Sequence, residues 1–86
     1  MKRHARKAFT ALKKLGAPVL ERSDVEYFVI SGEDNYKEVW ADYYEEFGIH
    51  ADSNTPGVDP RICDIIEANG LFMEWETPGG LVVFDA

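Results

Sequence analysis

Between Arg3 and Leu15 the apolar residues Ala5, Ala8, Phe9, Ala11, Leu12 and Leu15 recur at spacings of three and four. At ~100° per residue they share one arc of roughly 160°, which predicts an amphipathic helix. Gly16 and then Pro18 mark its end. Val19–Glu21 and Val25–Ser31 read as short strands joined at Arg22-Ser23-Asp24, a hairpin with polar turn chemistry. Tyr27-Phe28-Val29-Ile30 is apolar on both faces, as a central strand is. Helical spacing returns at Tyr36, Val39, Trp40, Tyr43, Tyr44 and Phe47, behind an N-cap at Asn35 and before Gly48. It predicts a second helix over Asn35–Phe47.

A loop over 49–58 is rich in turn residues, Ser53-Asn54-Thr55-Pro56-Gly57. Asp59-Pro60 then opens a third helix that runs to Ala68 and buries Ile62, Ile65 and Ile66. A terminal hairpin follows, Leu71–Glu76 and Leu81–Asp85, about a turn at Thr77-Pro78-Gly79-Gly80. With Thr77 and Gly80 flanking the turn, Glu76 faces Leu81 and Met73 faces Phe84. That register gathers Leu71, Met73, Trp75, Val82 and Phe84 on one face and turns Phe72, Leu81 and Val83 to the other. The expected fold class is α+β: an antiparallel sheet of about four strands in two hairpins, covered on one face by three helices. The order is helix, strand, strand, helix, helix, strand, strand.

Length keeps this to one small globular domain over residues 1–86. Eleven aromatics and 45% apolar residues supply a core and argue against disorder. No apolar run reaches the ~18 residues that a membrane span needs, and the charged N-terminus lacks the apolar stretch of a secretory signal. Cys63 is the only cysteine, which excludes an internal disulfide and fits a reducing, cytoplasmic setting.

Charge changes the picture more than composition does. The net −7 is divided: residues 1–22 hold seven basic residues against Glu21, +6, and the remainder holds Lys37 and Arg61 against fifteen carboxylates, −13. On the predicted second helix Glu38, Asp42, Glu45 and Glu46 form an acidic ridge without an interposed Lys or Arg. Its like-charged i,i+4 pairs cost about 0.2–0.5 kcal/mol each, and its last-turn acids oppose the helix dipole. The leading expectation is therefore a non-catalytic interaction module, an inhibitor or adaptor, that docks this ridge on a basic surface of a protein partner. The alternative is nucleic-acid binding through Lys2, Arg3, Arg6, Lys7, Lys13 and Lys14, or a ridge that imitates DNA phosphates and blocks a nucleic-acid site. Against direct binding stand the −13 remainder, which repels polyanions, and the acids Asp59, Asp64 and Glu67 on the helix that would read a groove. Contact with a membrane through the basic helix meets the same repulsion.

Catalysis finds little support. His4 lies in an N-terminal region expected to be mobile, and His50, Asp52 and Cys63 compose the one imaginable triad, with Cys63 bordering an apolar helix face. Asp52–Gly57 resembles a calcium loop, but Pro56 at the fifth position and Cys63 at the twelfth break the ligand pattern. No cofactor or metal is expected. Trp40 and Tyr44 on the aromatic helix edge, with Phe72, Leu81 and Val83 on the outer hairpin face, are the expected interface residues. They point to a homodimer or a protein partner.

Overall fold

The computed structural model describes residues 1–35, 37–44 and 50–86. Its elements are α1 (Arg3–Leu15), β1 (Val19–Leu20), β2 (Val29–Ser31), α2 (Pro60–Ala68), β3 (Leu71–Thr77) and β4 (Gly80–Asp85). The strands form one antiparallel sheet in the order β1-β2-β4-β3. β2 is central, as its two-sided apolar run predicts. No helix of the described residues is long and apolar enough to cross a membrane.

α1 and α2 cover one face of this sheet. Ala5, Ala8 and Leu12 of α1 and Ile62, Cys63 and Ile66 of α2 pack on Phe28, Ile30, Leu71, Met73, Leu81 and Val83. Phe9 meets Phe28 edge-on at 5.3 Å. The Asp59 side chain caps α2 by accepting from the Arg61 N–H at 2.8 Å, with Pro60 in the first turn, the arrangement that Asp-Pro announces.

Four expectations require correction. Two helices, not three, occur among the described residues: positions 35 and 37–44 of the expected second helix are irregular backbone. Asn35 Oδ1 accepts from the Trp40 and Ala41 N–H groups, and Asn35 Nδ2 donates to the Gly32 and Ala41 carbonyls. Ala41 then bridges Val58, Asp42 N donates to Gly57 O, and Asp59 N donates to Trp40 O. The local side chain and a strand-like neighbour thus take the backbone groups that a helix would have paired internally. Aromatic and β-branched residues with like charges at i,i+4 oppose that choice only weakly.

The β1–β2 connection is also longer than a tight hairpin. Pairing covers only Val19↔Ile30 and Leu20↔Val29, and residues 21–28 leave the ladder because Arg22 reaches across the sheet while Tyr27 and Phe28 turn into the core.

The third correction concerns the terminal hairpin. Thr77 and Gly80 do flank the turn, but an irregularity between Trp75 and Thr77 shifts the rest of the ladder, so that Met73 faces Val83 and Trp75 faces Leu81. One extra residue on β3 exchanges the two faces of β4. Leu81 and Val83 are therefore core, and Val82 and Phe84 point outward with Phe72. Finally, His4, expected in a mobile N-terminal region, lies within α1, with its Nε2 2.5 Å from Asp85 Oδ1.

Candidate docking face

The sheet surface opposite the helices carries a row across all four strands, Leu20, Val29, Val82 and Glu74, fixed by the pairings Leu20↔Val29, Val29↔Val82 and Glu74↔Val82. Beside this row Phe72 stacks on Phe84, with centroids 5.2 Å apart. Leu20, Phe72 and Phe84 are 48%, 41% and 36% exposed, a concentration of large apolar side chains on the side that no helix of the described residues covers.

Arg22 lies over this face. Its guanidinium donates to both carboxylate oxygens of Glu76 on β3, at 3.0 and 2.8 Å, and its Nε donates to Asp24 at 2.5 Å. The bridge crosses β2 and β4, where Val29 and Val82 are buried. Hydrogen bonds from Arg22 hold Asp24 and Glu76 below the ordinary carboxylate range, and the two carboxylates push the guanidinium further up.

Glu76 borders two hollows on this face. One, of about 360 Å³, has Val82, Phe84 and Val25 as its apolar lining and Asp24, Glu26, Glu74 and Glu76 as its acidic lining. The other, of about 330 Å³, includes Leu20, Val29 and Glu33. An apolar floor with a carboxylate rim suits a ligand that has both an aliphatic or aromatic body and positive charge.

The expected site residues are scattered by comparison. Glu38 is paired: its Oε1 accepts from Arg61 Nη2 at 2.5 Å. Asp42 Oδ1 accepts from the Tyr44 N–H within a local turn. Glu45 and Glu46 lie outside the described residues. Trp40, expected at an interface, is buried beneath the Arg61 guanidinium, 4.7 Å from its ring, whereas Tyr44 is 77% exposed. Leu81 and Val83 are withdrawn into the core, which leaves Phe72 as the member of the hairpin set that does face outward.

His50, Asp52 and Cys63 are not joined by any hydrogen bond or ion pair of the described residues. His50 Nε2 is 2.6 Å from Val39 O and 3.7 Å from Asp59 Oδ2, Asp52 is exposed, and the buried Cys63 Sγ lies 3.9 Å from Val58 O. No group of three or more His, Cys, Asp or Glu side chains among the described residues could hold a metal ion.

Sequence reasoning missed two polar assemblies. In the first, Asp59, buried at 4%, accepts from the Arg61 backbone, Nε and Nη2, while Arg61 also holds Glu38. Burial pushes the Asp59 carboxyl up, but the Arg61 hydrogen bonds and charge outweigh it and leave the group below its usual range. In the second, Asp85 takes hydrogen bonds from His4 and from the Tyr27 hydroxyl, the latter at 2.8 Å. These bonds hold Asp85 low, while burial and Asp85 raise the Tyr27 phenol to about 12. The Asp-Pro cap was the only signal in the sequence for either assembly.

Comparison with known proteins gives no match: no protein-family model fits the chain, and neither curated proteins nor solved structures are similar to it.

Proposed function

We propose that this chain is a non-catalytic interaction module, an adaptor or inhibitor, that receives a cationic, partly apolar segment of a partner protein on the outer face of its sheet. The observation that carries the reading is the exposure of Leu20, Phe72 and Phe84 on the outer sheet face, beside Glu26 and Glu74, which have no ion-pair partner among the described residues, and Asp24 and Glu76, which already hold Arg22. The partner chemistry is the one expected of the acidic ridge. The location differs, because Glu38 is engaged by Arg61 and Asp42 by a turn.

Two features support a basic partner over a second copy of the chain. Outer faces of two copies set back to back would bring Asp24, Glu26, Glu74 and Glu76 against themselves, and like-charge juxtaposition at an interface costs several kcal/mol. Arg22 also displays, within the chain, the kind of group these carboxylates take: a guanidinium held bidentately by Glu76 with its side chain laid over valines.

The test is fluorescence anisotropy of a labelled peptide of alternating Lys and Leu titrated with the full chain. A double charge reversal, Glu26→Lys with Glu74→Lys, is expected to weaken binding at least tenfold. Asp64→Lys with Glu67→Lys on α2, the same change of charge on the opposite layer, should leave it within about twofold once salt is matched. Equal losses from the two reversals would mean that net charge alone attracts the peptide and would overturn the assignment of this face. The mass of the free chain in solution tests self-association, for which the reading expects a monomer.

A further inference from the structure

α1 presents a second charged surface, of the opposite sign and on the opposite side of the sheet. Lys2, Arg3, Arg6, Lys7, Lys13 and Lys14 are all exposed. Arg6 is paired with Glu21 at 2.8 Å and Lys2 with Asp85 at 3.8 Å. Among the described residues Arg3, Lys7, Lys13 and Lys14 have no acidic partner. At ~100° per residue Arg3, Lys7, Lys14 and the interposed Thr10 lie within an arc of about 60°, a nearly straight line along the helix. From Arg3 to Lys14 that line is about 16 Å long.

The fold itself does not call for this placement. Lys13 and Lys14 complement the negative end of the helix dipole, but Arg3 and Lys7 stand toward its positive end. There the first turn has no acidic residue and Lys2 at the N-cap supplies no capping hydrogen bond. Cations near the N-terminus oppose the dipole, whereas anions are favoured there.

We infer that the Arg3–Lys7–Lys14 line binds the phosphate backbone of duplex DNA. Measured along the duplex axis that length corresponds to about five base-pair rises, at ~3.4 Å each. Insertion into a membrane is disfavoured because the apolar face of α1 is spent: Ala5, Ala8 and Leu12 are fully buried against the sheet and α2. Single-stranded nucleic acid calls for an exposed aromatic platform, and Phe9, the aromatic of this helix, is tucked against Phe28. Lys, Arg and Thr on a line reach phosphates and leave base edges unread, so binding is independent of sequence.

The acidic remainder does not forbid this contact. The molecule is 22 Å across in its shortest dimension, and the docking face lies beyond both the helix layer and the sheet. Glu74 and Glu76 lie across the sheet from α1, whereas Glu26 shares a hollow with Met1 and Arg6 at the start of the helix, so its repulsion is screened only over the ~10 Å Debye length of 0.1 M salt. The charges on the helix layer itself are nearer: Glu21 and Asp85 are already paired with Arg6 and Lys2, and Asp64 and Glu67 belong to α2.

The probe is a fluorescein-labelled random-sequence DNA duplex titrated with the full chain. Three charged phosphate contacts predict that the affinity falls roughly 40-fold between 50 and 200 mM salt. Arg3→Gln with Lys7→Gln and Lys14→Gln should lower affinity at least tenfold and flatten that salt slope. Arg3→Lys, which keeps the positive charge at that exposed position, should retain binding and far-UV circular dichroism. Absence of binding by the unaltered chain at 50 mM salt would overturn the inference, as would an unchanged affinity of the Gln variant. So would binding to phosphatidylglycerol vesicles in preference to the duplex. None of these outcomes depends on the outer sheet face, which the peptide titration reads separately.

Discussion

Arg61 and Asp59 offer the sharpest test of the packing, because the two partners of this ion pair sit in different surroundings. The Asp59 side chain is 6% exposed and the Arg61 side chain 50% exposed. Arg61→Met keeps the aliphatic stem but leaves a buried carboxylate with the backbone N–H of residue 61 and the ring of His50 as its neighbours. Removing one member of a buried pair costs about 3–5 kcal/mol, and the surviving cap bond places this case at the lower end, about 3 kcal/mol. Asp59→Asn, in contrast, preserves a good N-cap residue and leaves Arg61 to the solvent it already touches, a loss of about 1 kcal/mol.

For a domain of this size 1 kcal/mol shifts the melting temperature by roughly 4–8 °C. Thermal melts followed by circular dichroism should therefore place Arg61→Met about 12–24 °C below the unaltered chain and Asp59→Asn about 4–8 °C below it. pH separates the causes further. In the unaltered chain the Asp59 carboxyl is held below its unfolded value, so its contribution is full above about pH 4 and is lost as pH falls through the folded value. Without Arg61, burial is opposed by little else and the folded value rises above the unfolded one. The penalty is then greatest at neutral pH and relieved as the solution is acidified and the carboxyl takes a proton. The stability gap between the two chains should narrow between pH 7 and pH 4.5. A gap that stays constant, or an Asp59→Asn loss as large as that of Arg61→Met, would refute the buried-carboxylate argument and assign the effect to the Trp40 stacking and the Glu38 bond instead.

The register of the terminal hairpin is tested by Leu81→Ala and Phe72→Ala. The first should cost about 2–5 kcal/mol as a core truncation and the second about 1 kcal/mol or less, as read from urea melts, whereas the sequence-derived register turns both residues outward and expects a small loss from each. Gly57 has φ +89° and an added Cβ would collide with the Asp42 carbonyl oxygen. Gly57→Ala should therefore lose about 2–4 kcal/mol in the same melts, together with the bridge that holds residues 40–42 to 57–59.

The parts of the fold that were legible in the sequence are those in which pattern and punctuation agree. α1 has one apolar stripe and a Gly–Pro end, α2 has Asp-Pro before it and Asn-Gly after it, and the final turn has Thr77 and Gly80 at its base. The failures arose where a single residue decides between two self-consistent patterns. Either register of β4 gives an apolar face, because Leu81, Val82, Val83 and Phe84 are all hydrophobic, and the irregularity beside Glu76 chooses between them. Residues 36–47 have helical periodicity, yet Asn35 and the partner segment 57–59 capture the described part of it. That capture is tertiary and leaves no periodic trace. The docking face was hidden for the same reason: Asp24, Glu26, Glu74 and Glu76 are distant in sequence and come together only through the β3–β4 ladder and the Arg22 bridge.

Segregated charge is what links the two proposed surfaces. A small domain gains most from mixing its charges, since each short-range pair of opposite sign contributes a few tenths of a kcal/mol and each like pair subtracts as much. This chain does that in some places, at Arg22, Arg61 and Asp85, and declines it in others. Four cations along α1 are left without acidic partners among the described residues, and Glu26 and Glu74 stand on a sheet face whose one cation, Arg22, is already committed to Asp24 and Glu76. The sheet stands between Glu74 and the helix layer, but Glu26 lines one hollow with Met1 and Arg6 at the start of α1, so the two surfaces meet at that corner and are screened from each other elsewhere at physiological salt. Binding of the cationic peptide and of the DNA duplex should accordingly be weakly coupled near 0.15 M salt and strongly coupled near 0.01 M, where the Debye length of ~30 Å reaches across the domain.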